Sequence, residues 1–264
     1  MPTVINWNPH QTVQLWPARK RVPVPFLRVR NFGDLLGPWI VRRIVETELL
    51  GASADPTQRL LTVGSIGEKA VEGDVLWGSG LIRDPAETGR HLPRTIDVRA
   101  VRGPLTAACL RRSGITATSV YGDPAALVPL LWRDEELGIT RRSAGTVMLP
   151  HYRSDAVWPR PHLRARGSHL TRIRAIASAE LVISSSLHGI ILAEAYGVPV
   201  IPVREPGEPE FKYRDYFEGT GRELPVLQPT WNSALEAEPI TPLAEWGAQA
   251  LLDAFPRDLW TRAR

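Results

Sequence analysis

The chain has 264 residues, of which 43% are hydrophobic, and it carries a formal net charge of +4 with a sequence pI of about 9.6. This length allows one large domain or two smaller ones, and the apolar content excludes an intrinsically disordered chain. Only three residues are lysines, so most of the positive charge is arginine, which binds phosphate and carboxylate groups in two-point contacts. Anionic small molecules, nucleic acid and an acidic membrane surface are all compatible with this charge, as is a simple bias in composition.

The composition also limits the type of site. Cys109 is the only cysteine, which excludes an intramolecular disulfide and a cysteine-rich metal centre. No carboxylate pair or histidine cluster has the spacing of metal ligands, so we expect no required metal and no cofactor. Residues 1–30 lack the apolar core of a signal peptide, and the most apolar stretch, residues 181–203, is interrupted by polar residues and a proline. We therefore expect a soluble, cytoplasmic protein.

The first half of the chain alternates predicted helices and strands. A helix with Pro38 in its first turn is predicted at residues 35–49, and a second one ends at Arg112 before Gly114. Short apolar runs predict strands at residues 60–63, 74–77, 98–101 and 119–121. Strands that alternate with helices at this spacing indicate an α/β fold with a parallel, doubly wound sheet.

A second set of the same kind follows the polar stretch 132–144, which is the best candidate for a linker. We therefore predict an N-terminal domain at residues 1–137 and a C-terminal domain at 138–264. Strands are predicted at residues 146–149, 181–183 and 198–203, and helices at residues 170–179, 190–196 and 243–255. The aromatic and charged stretch 211–217 fits either a solvated loop or part of a site.

The polar turn from Ser184 to Gly189 is the most informative segment. A predicted strand enters it and a predicted helix leaves it, so its side chains lie at the carboxyl end of a strand, where open α/β sheets bind ligands. The following helix presents unpaired N–H groups to an anion. Ser185, Ser186 and Gly189 are therefore predicted to bind substrate. His188 is predicted to donate or accept a proton near neutral pH.

Several short motifs, in this order along the chain, resemble the polysaccharide pyruvyltransferase family. They are Asn31-Phe32-Gly33-Asp34, Gly78-Ser79-Gly80, Val101-Arg102-Gly103-Pro104, Tyr121-Gly122-Asp123-Pro124 and Leu187-His188-Gly189, followed by Glu194-Ala195 and Gly197-Val198-Pro199. The resemblance implies two Rossmann-like domains that face a cleft, as in GT-B glycosyltransferases. It also implies transfer of pyruvate from phosphoenolpyruvate onto two hydroxyls of a saccharide, which forms a ketal and releases phosphate.

The predicted donor site follows from the charge of phosphoenolpyruvate. The turn Gly78-Ser79-Gly80 allows the backbone to approach an anion closely, and Arg102 and Gly103 precede a predicted helix. A tight turn and a surface ion pair are the structural alternatives for these residues. Lys212 lies in an element that resembles one near the family's active site. His151, at the end of the strand 146–149, is a weaker candidate.

Asp34 and Asp123 have two interpretations. Both precede predicted helices, so each can be a helix cap, as can Asn31. Alternatively Asp34 acts in catalysis and Asn31, Gly33 and Asp123 contact the substrates. Many members of the family carry a basic residue at the position of Ser186, so another group is expected to hold the phosphate here.

Two other functions remain open. Glu194, in the segment that ends with Gly197-Val198-Pro199, also resembles the donor-binding region of nucleotide-sugar glycosyltransferases, where it would contact a ribose. A non-catalytic binder of nucleic acid or another anionic polymer is suggested only by the pI, and the arginines are scattered without a recognition motif, so we expect no nucleic-acid partner. The expected partners are phosphoenolpyruvate and a saccharide acceptor, which a lipid can carry at the cytoplasmic face of the membrane.

Overall fold

The computed structural model describes residues 2–15, 20–140, 145–240, 243 and 246–262. These residues form an α/β protein with two parallel sheets. The strands, numbered along the chain, are β1 (Thr3–Ile5), β2 (His10–Leu15), β3 (Lys20–Arg28), β4 (Leu50–Ser53), β5 (Arg59–Leu61), β6 (Val75–Trp77), β7 (Asp97–Ala100), β8 (Thr146–Leu149), β9 (Leu181–Ser184), β10 (Val200–Pro202) and β11 (Trp260–Arg262).

The α-helices are short. They are α1 (Leu36–Thr47), α2 (Pro104–Arg112), α3 (Val128–Leu131), α4 (Asp134–Leu137), α5 (His169–Ser178), α6 (Leu187–Ala195), α7 (Phe211–Gly219), α8 (Trp231–Ala234) and α9 (Ala248–Asp253). None of the helices in the described ranges has the length and apolar surface that crossing a membrane requires.

The first sheet has the strand order β1-β5-β6-β7, and all its pairs are parallel. The predictions for β5, β6 and β7 are confirmed within two residues. The sequence analysis did not predict β1. The strand predicted at residues 119–121 is reduced to a single parallel bridge between Tyr121 and Val101.

The second sheet has the order β10-β9-β8 and is also parallel. Strand β8 begins and ends at the predicted residues, and the predicted ends of β9 and β10 differ from the observed ones by one or two residues or agree with them. In each sheet the described strands follow one another in chain order. They therefore lack the reversal of strand order that defines a doubly wound sheet. Two additional pairs, β2-β3 and β4-β11, are antiparallel.

Two helices bring the site residues into place. The buried face of α1 includes Leu36, Ile40 and Ile44, which recur at helical spacing, and Pro38 is tolerated because it lies in the first turn. Helix α6 is buried from Leu187 to Glu194, so its N-terminus is fixed by packing on every side. It begins three residues earlier than predicted, which places His188 within its first turn.

The end of the chain packs on the first half. Strand β11 pairs with β4, and the Trp77 indole Nε1 donates a 2.8 Å hydrogen bond to the Leu251 carbonyl in α9. Helix α9 is shorter than the helix predicted at residues 243–255, part of which lies outside the described residues. The same holds for residues 141–144 of the predicted linker. The boundary at residues 137 and 138 stays a prediction, and it separates the strands of the two parallel sheets.

Candidate functional site

A cleft with an empty volume of about 660 Å³ lies where the carboxyl ends of strands from both sheets face each other. The segments that line it follow β1, β5 and β6 on one side and β8, β9 and β10 on the other, together with the start of α1 and of α7. Its lining residues are Trp7, Asn31, Asp34, Ser65, Ile66, Ile82, His151, Tyr152, Arg153, Ser186, Leu187, His188, Glu208 and Lys212. The expectation that strand ends form the site is thus met by both sheets.

The turn between β9 and α6 forms one wall of the cleft. The Ser184 hydroxyl donates to the carbonyl of Leu149 and accepts the N–H of Ser186 at 3.0 Å, which fixes the path of the turn. Ser186 is the N-cap residue of α6 and lines the cleft. The first N–H groups of the helix have no acceptor within it, so this wall carries a partial positive charge.

His188 is held tightly between both halves of the molecule. Its ring is 7% exposed and packs against Gly33, where an added Cβ would overlap the imidazole. Its Nε2 lies 3.7 Å from Asp123 Oδ2, and neither atom has a hydrogen-bond partner in the described part of the chain. The other oxygen of Asp123 accepts the N–H of Ala125 at 2.9 Å, which confirms its predicted role as a helix cap. Asp123 therefore caps a helix and faces the histidine at the same time.

Asp34 lies beside His188. A Cβ added at Gly64 would be 2.8 Å from Asp34 Oδ1 and 3.9 Å from His188 Cε1, so the two side chains meet at this glycine. The amide of Asn31 donates to Asp34 Oδ2 at 2.5 Å. Burial raises the pKa of Asp34, although His188 and Asn31 act to lower it. Neither Asp34 nor Asn31 caps α1, so that alternative is wrong for both residues.

Lys212 provides a buried cation in the cleft. Its Nζ lies 2.7 Å from Glu208, whose second oxygen is 2.7 Å from the Arg153 guanidinium. Burial lowers the pKa of Lys212, and Glu208 opposes this effect. Lys212 belongs to α7, so the interpretation of residues 211–217 as a solvated loop is wrong. Tyr213 and Tyr216 of the same helix are 1% exposed and do not face the cleft.

A second histidine faces a carboxylate in the same cleft. His151 Nδ1 lies 3.6 Å from Glu205, and the His151 backbone N–H donates to the Ser185 hydroxyl at 2.8 Å. Ser185 and Ser154 both donate to Glu205. Burial acts to raise the pKa of Glu205, but His151 and these hydroxyls outweigh it and hold the pKa below its ordinary value. Ser185 thus positions two groups of the cleft wall without lining it.

The glycine-serine-glycine turn and Arg102 lie behind the cleft wall. Gly78 has a φ of +79° and packs on Pro124, and an added Cβ at Gly80 would overlap the Arg102 guanidinium. Arg102 is fully buried in an ion pair with Asp215 at 3.0 Å. Arg102 also donates a 2.7 Å hydrogen bond to the hydroxyl of Ser65, which lines the cleft. The Ser79 hydroxyl donates to the carbonyl of Gly64 at 3.0 Å. These contacts account for the four residues by packing, and their binding of substrate stays a prediction.

Three other predicted residues are also packing positions. Gly103 allows the backbone of Asp215 in α7 to approach, and Gly189 allows α6 to approach Ser184 and Leu149. Glu194 is 1% exposed and accepts hydrogen bonds from Tyr216 and Arg222. None of the three lines the cleft. The sequence motifs therefore mix residues of the cleft with residues that hold its walls together.

The sequence analysis missed several lining residues. Glu208 follows β10, so the rule that strand ends form the site could have found it. Trp7 follows β1, a strand that the sequence analysis did not predict. Tyr152 and Arg153 directly follow His151, which was itself a weak candidate. Among the described residues, no group of three or more histidines, cysteines or carboxylates could hold a metal ion.

Comparison with known proteins gives consistent results. Residues 173–205 match the family model "Polysaccharide pyruvyl transferase". The chain is 31% identical over 220 residues to "Succinoglycan biosynthesis protein ExoV" of Rhizobium meliloti (strain 1021), an alignment that covers 74% of this chain and 65% of that protein. These two findings confirm the resemblance to the polysaccharide pyruvyltransferase family. The segment matched by the polysaccharide pyruvyl transferase model includes β9, α6 and β10, and hence the cleft wall that carries His188.

The chain also has two more distant similarities. It is 24% identical over 217 residues to "Uncharacterized protein L143" of Acanthamoeba polyphaga mimivirus, which covers 75% of this chain and 74% of that protein. The solved structure of the uncharacterised protein KP1_0663 from Klebsiella pneumoniae subsp. pneumoniae NTUH-K2044 superposes with a TM-score of 0.47 at 13% identity, over 71% of this chain and 84% of that one.

Proposed function

We propose that the protein is a pyruvyltransferase that moves pyruvate from phosphoenolpyruvate onto two hydroxyls of a saccharide in exopolysaccharide biosynthesis. The observation that carries the proposal is the cleft, which brings Asp34 and Lys212 together with the N-terminus of α6 and its His188. The match of residues 173–205 to the family model and the similarity to a succinoglycan biosynthesis protein support it. The chain spans 65% of that relative's length, so the acceptor is argued from the cleft itself.

Phosphoenolpyruvate fits the charge of the cleft. Its phosphate accepts the free N–H groups at the start of α6, where Ser186 adds a hydroxyl. Lys212 supplies the cation that the family carries at the position of Ser186. It reaches the cleft from α7 and is already buried, so it is not screened by bulk water. Arg153, which pairs with Glu208 at the rim of the cleft, is the second cationic side chain near the phosphate, after Lys212.

The reaction moves two protons. One adds to the methylene carbon of phosphoenolpyruvate, which makes C2 electrophilic, and the hydroxyls of the acceptor then form two C–O bonds to C2. The bond from C2 to the phosphate oxygen breaks, and phosphate leaves. Two hydroxyl protons are lost: one balances the new methyl group and the other leaves with phosphate.

Asp34 and His188 suit these proton transfers. The raised pKa of Asp34 favours its protonated form, which makes it the acid toward the methylene carbon. His188 accepts a hydroxyl proton, and Asp123, 3.7 Å from Nε2, stabilises the imidazolium that forms. Asn31 and Gly33 keep Asp34 and His188 in this arrangement.

The architecture and location are part of the proposal. Two parallel sheets that face a cleft support two Rossmann-like domains related to the GT-B arrangement. Phosphoenolpyruvate is a cytoplasmic metabolite, so we place the protein in the cytoplasm, where a lipid-linked acceptor would bring it to the membrane face. We assign it no cofactor other than phosphoenolpyruvate as donor substrate, no metal and no nucleic-acid partner.

The glycosyltransferase alternative depends on Glu194 as the ribose ligand. In the structure both oxygens of Glu194 are already bonded, at 2.7 Å to the Tyr216 hydroxyl and at 2.5 Å to Arg222. The carboxylate is also outside the cleft. A ribose at this position would have to replace a complete set of buried partners, which is unfavourable.

A thermal-shift titration tests the proposal without knowledge of the acceptor. Phosphoenolpyruvate, UDP, GDP and inorganic phosphate are titrated separately, because a ligand that binds the folded state raises the melting temperature by mass action. We expect stabilisation by phosphoenolpyruvate at concentrations at which the nucleotides have no effect. Selective stabilisation by a nucleoside diphosphate would contradict the proposal and favour a glycosyltransferase.

A further inference from the structure

Two aromatic rings close one end of the cleft, and the donor site uses neither of them. Trp7 and Tyr152 both line the cleft, and their ring centroids are 5.3 Å apart at an interplanar angle of 44°. Trp7 comes from the segment after β1 in the first sheet, and Tyr152 from the segment after β8 in the second. The two rings thus form a bent apolar surface to which both halves of the molecule contribute.

The partners of these rings leave part of each ring free for a ligand. Both residues are partly exposed, unlike Tyr213 and Tyr216, which are buried. Tyr152 also contacts the His151 ring, whose centroid is 4.4 Å away, and its hydroxyl accepts a hydrogen bond from Arg153 at 2.9 Å. Because both rings are held in place before a ligand arrives, little conformational entropy is lost when one binds.

Polar groups surround this aromatic pair. The Arg166 guanidinium lies 5.8 Å from the centre of the Tyr152 ring, is exposed and makes no ion pair within the described part of the chain. Arg153 and Glu208 provide further donors and acceptors at the rim. An apolar platform with hydrogen-bonding groups at its edge matches a pyranose ring, whose C–H face is apolar and whose hydroxyls project around it.

We propose that Trp7 and Tyr152 form the binding platform for the acceptor saccharide. This inference rests on the proposed function, since it assigns the second substrate of the same cleft. The pyranose ring stacks on the aromatic pair and directs its hydroxyls toward His188 and His151. Trp7 and Tyr152 are positioning residues that set which hydroxyl pair reaches the donor.

Binding of saccharide is measured by saturation-transfer NMR with an equal mixture of the methyl α- and β-glycosides of glucose, galactose and mannose, in the presence of phosphoenolpyruvate. Wild-type protein, Trp7→Ala, Tyr152→Ala and Tyr152→Phe are compared. Trp39→Ala is the matched control, because Trp39 is also a partly buried aromatic residue but stacks on Trp132 outside the cleft. Phosphoenolpyruvate binding is recorded for every variant by thermal shift.

We expect at least one glycoside to bind the wild type, with affinity at least fivefold lower in Trp7→Ala and Tyr152→Ala and within twofold of wild type in Tyr152→Phe and Trp39→Ala. Binding of phosphoenolpyruvate should stay within twofold in all of them. The proposed platform would be overturned if both alanine variants bound glycosides as the wild type does, or if the wild type bound none. Binding of phosphoenolpyruvate in the same experiment would still uphold the pyruvyltransferase function. Loss of phosphoenolpyruvate binding in parallel would show that the rings are structural. Absence of phosphoenolpyruvate binding in the wild type would instead contradict the proposed function itself.

Discussion

The cleft and the cluster around Arg102 contain the same kinds of residues in opposite states. In the cluster, Arg102 and Asp215 are fully buried, and the Asp215 carboxylate also accepts the N–H and hydroxyl of Thr106 at 2.9 and 2.7 Å. At the cleft, His188 Nε2 and the Asp123 Oδ2 behind it are buried and have no hydrogen-bond partner among the described residues. A complete set of partners stabilises the fold, whereas an incomplete one leaves groups available for a substrate.

The contrast between the cleft and the buried cluster predicts the largest loss of activity for a substitution at His188. Replacement of His188 by alanine removes the base, and we expect turnover to fall by about 10²- to 10⁴-fold, the usual contribution of a general acid or base. Phosphate release from phosphoenolpyruvate in the presence of acceptor measures it. The melting temperature should stay close to that of the wild type, and His91→Ala, an exposed histidine, is the control. Full activity in His188→Ala would refute the assignment.

Arg102 should show the opposite behaviour. Arg102→Ala leaves the Asp215 carboxylate buried without its ion pair, which typically costs about 3–5 kcal/mol of stability. Chemical denaturation of wild type and variant measures the loss. A double variant, Arg102→Met with Asp215→Leu, should recover part of it, because no buried charge is left unpaired. A variant that keeps its stability but loses affinity for phosphoenolpyruvate would show that Arg102 is a ligand of the donor.

Gly33 tests how closely the cleft is packed. Because a Cβ at this position overlaps the His188 ring, Gly33→Ala should displace the imidazole and lower turnover by roughly tenfold or more, with a smaller change in stability. Steady-state kinetics and thermal unfolding are measured together. Gly247→Ala is the matched control, since the nearest atom to its added Cβ is 4.0 Å away. Equal kinetics for the two variants would contradict the predicted role of the contact.

The smallest of these effects is expected on the stability of an Asp34 variant, and this effect depends on pH. The pKa of Asp34 is raised in the folded state, so folding favours the protonated form, and stability is lost as the pH rises from the unfolded pKa through the folded one. Asp34→Asn should therefore gain stability relative to wild type as the pH increases across that window. Unfolding free energies measured from pH 3.5 to 7 test this. The raised pKa of Asp34 would be contradicted if the difference in unfolding free energy between Asp34→Asn and wild type did not change with pH or shrank as the pH increased.

The sequence predicted most of the parallel strands because their apolar runs are flanked by glycine and polar turns. It also placed His188, Asp34 and Lys212 among the candidate residues, and all three line the cleft. It could not separate these residues from Arg102 or the Gly78–Gly80 turn, because arginine and glycine serve packing and binding equally well. The difference depends on the partner, and Asp215 is 113 residues away from Arg102 in the chain.

Contacts between residues far apart in the chain also explain the other residues and strands that the sequence did not predict. Trp7 and Tyr152 meet only because β1 and β8 end at the same cleft, and neither residue has a local pattern that indicates a site. Strand β11 returns to β4 from the far end of the chain, so a description by consecutive segments missed it. Local periodicity predicts elements, whereas the pairing of distant elements decides which side chains face the cleft.

The most direct test is a crystal structure of the protein with phosphoenolpyruvate bound. We expect the phosphate at the N-terminus of α6, within hydrogen-bond distance of Ser186 and Lys212, with the methylene carbon facing Asp34. Arg102 should keep its ion pair with Asp215. Phosphoenolpyruvate bound at the Gly78–Gly80 turn, or in contact with an Arg102 released from Asp215, would contradict the division between the cleft and the buried cluster.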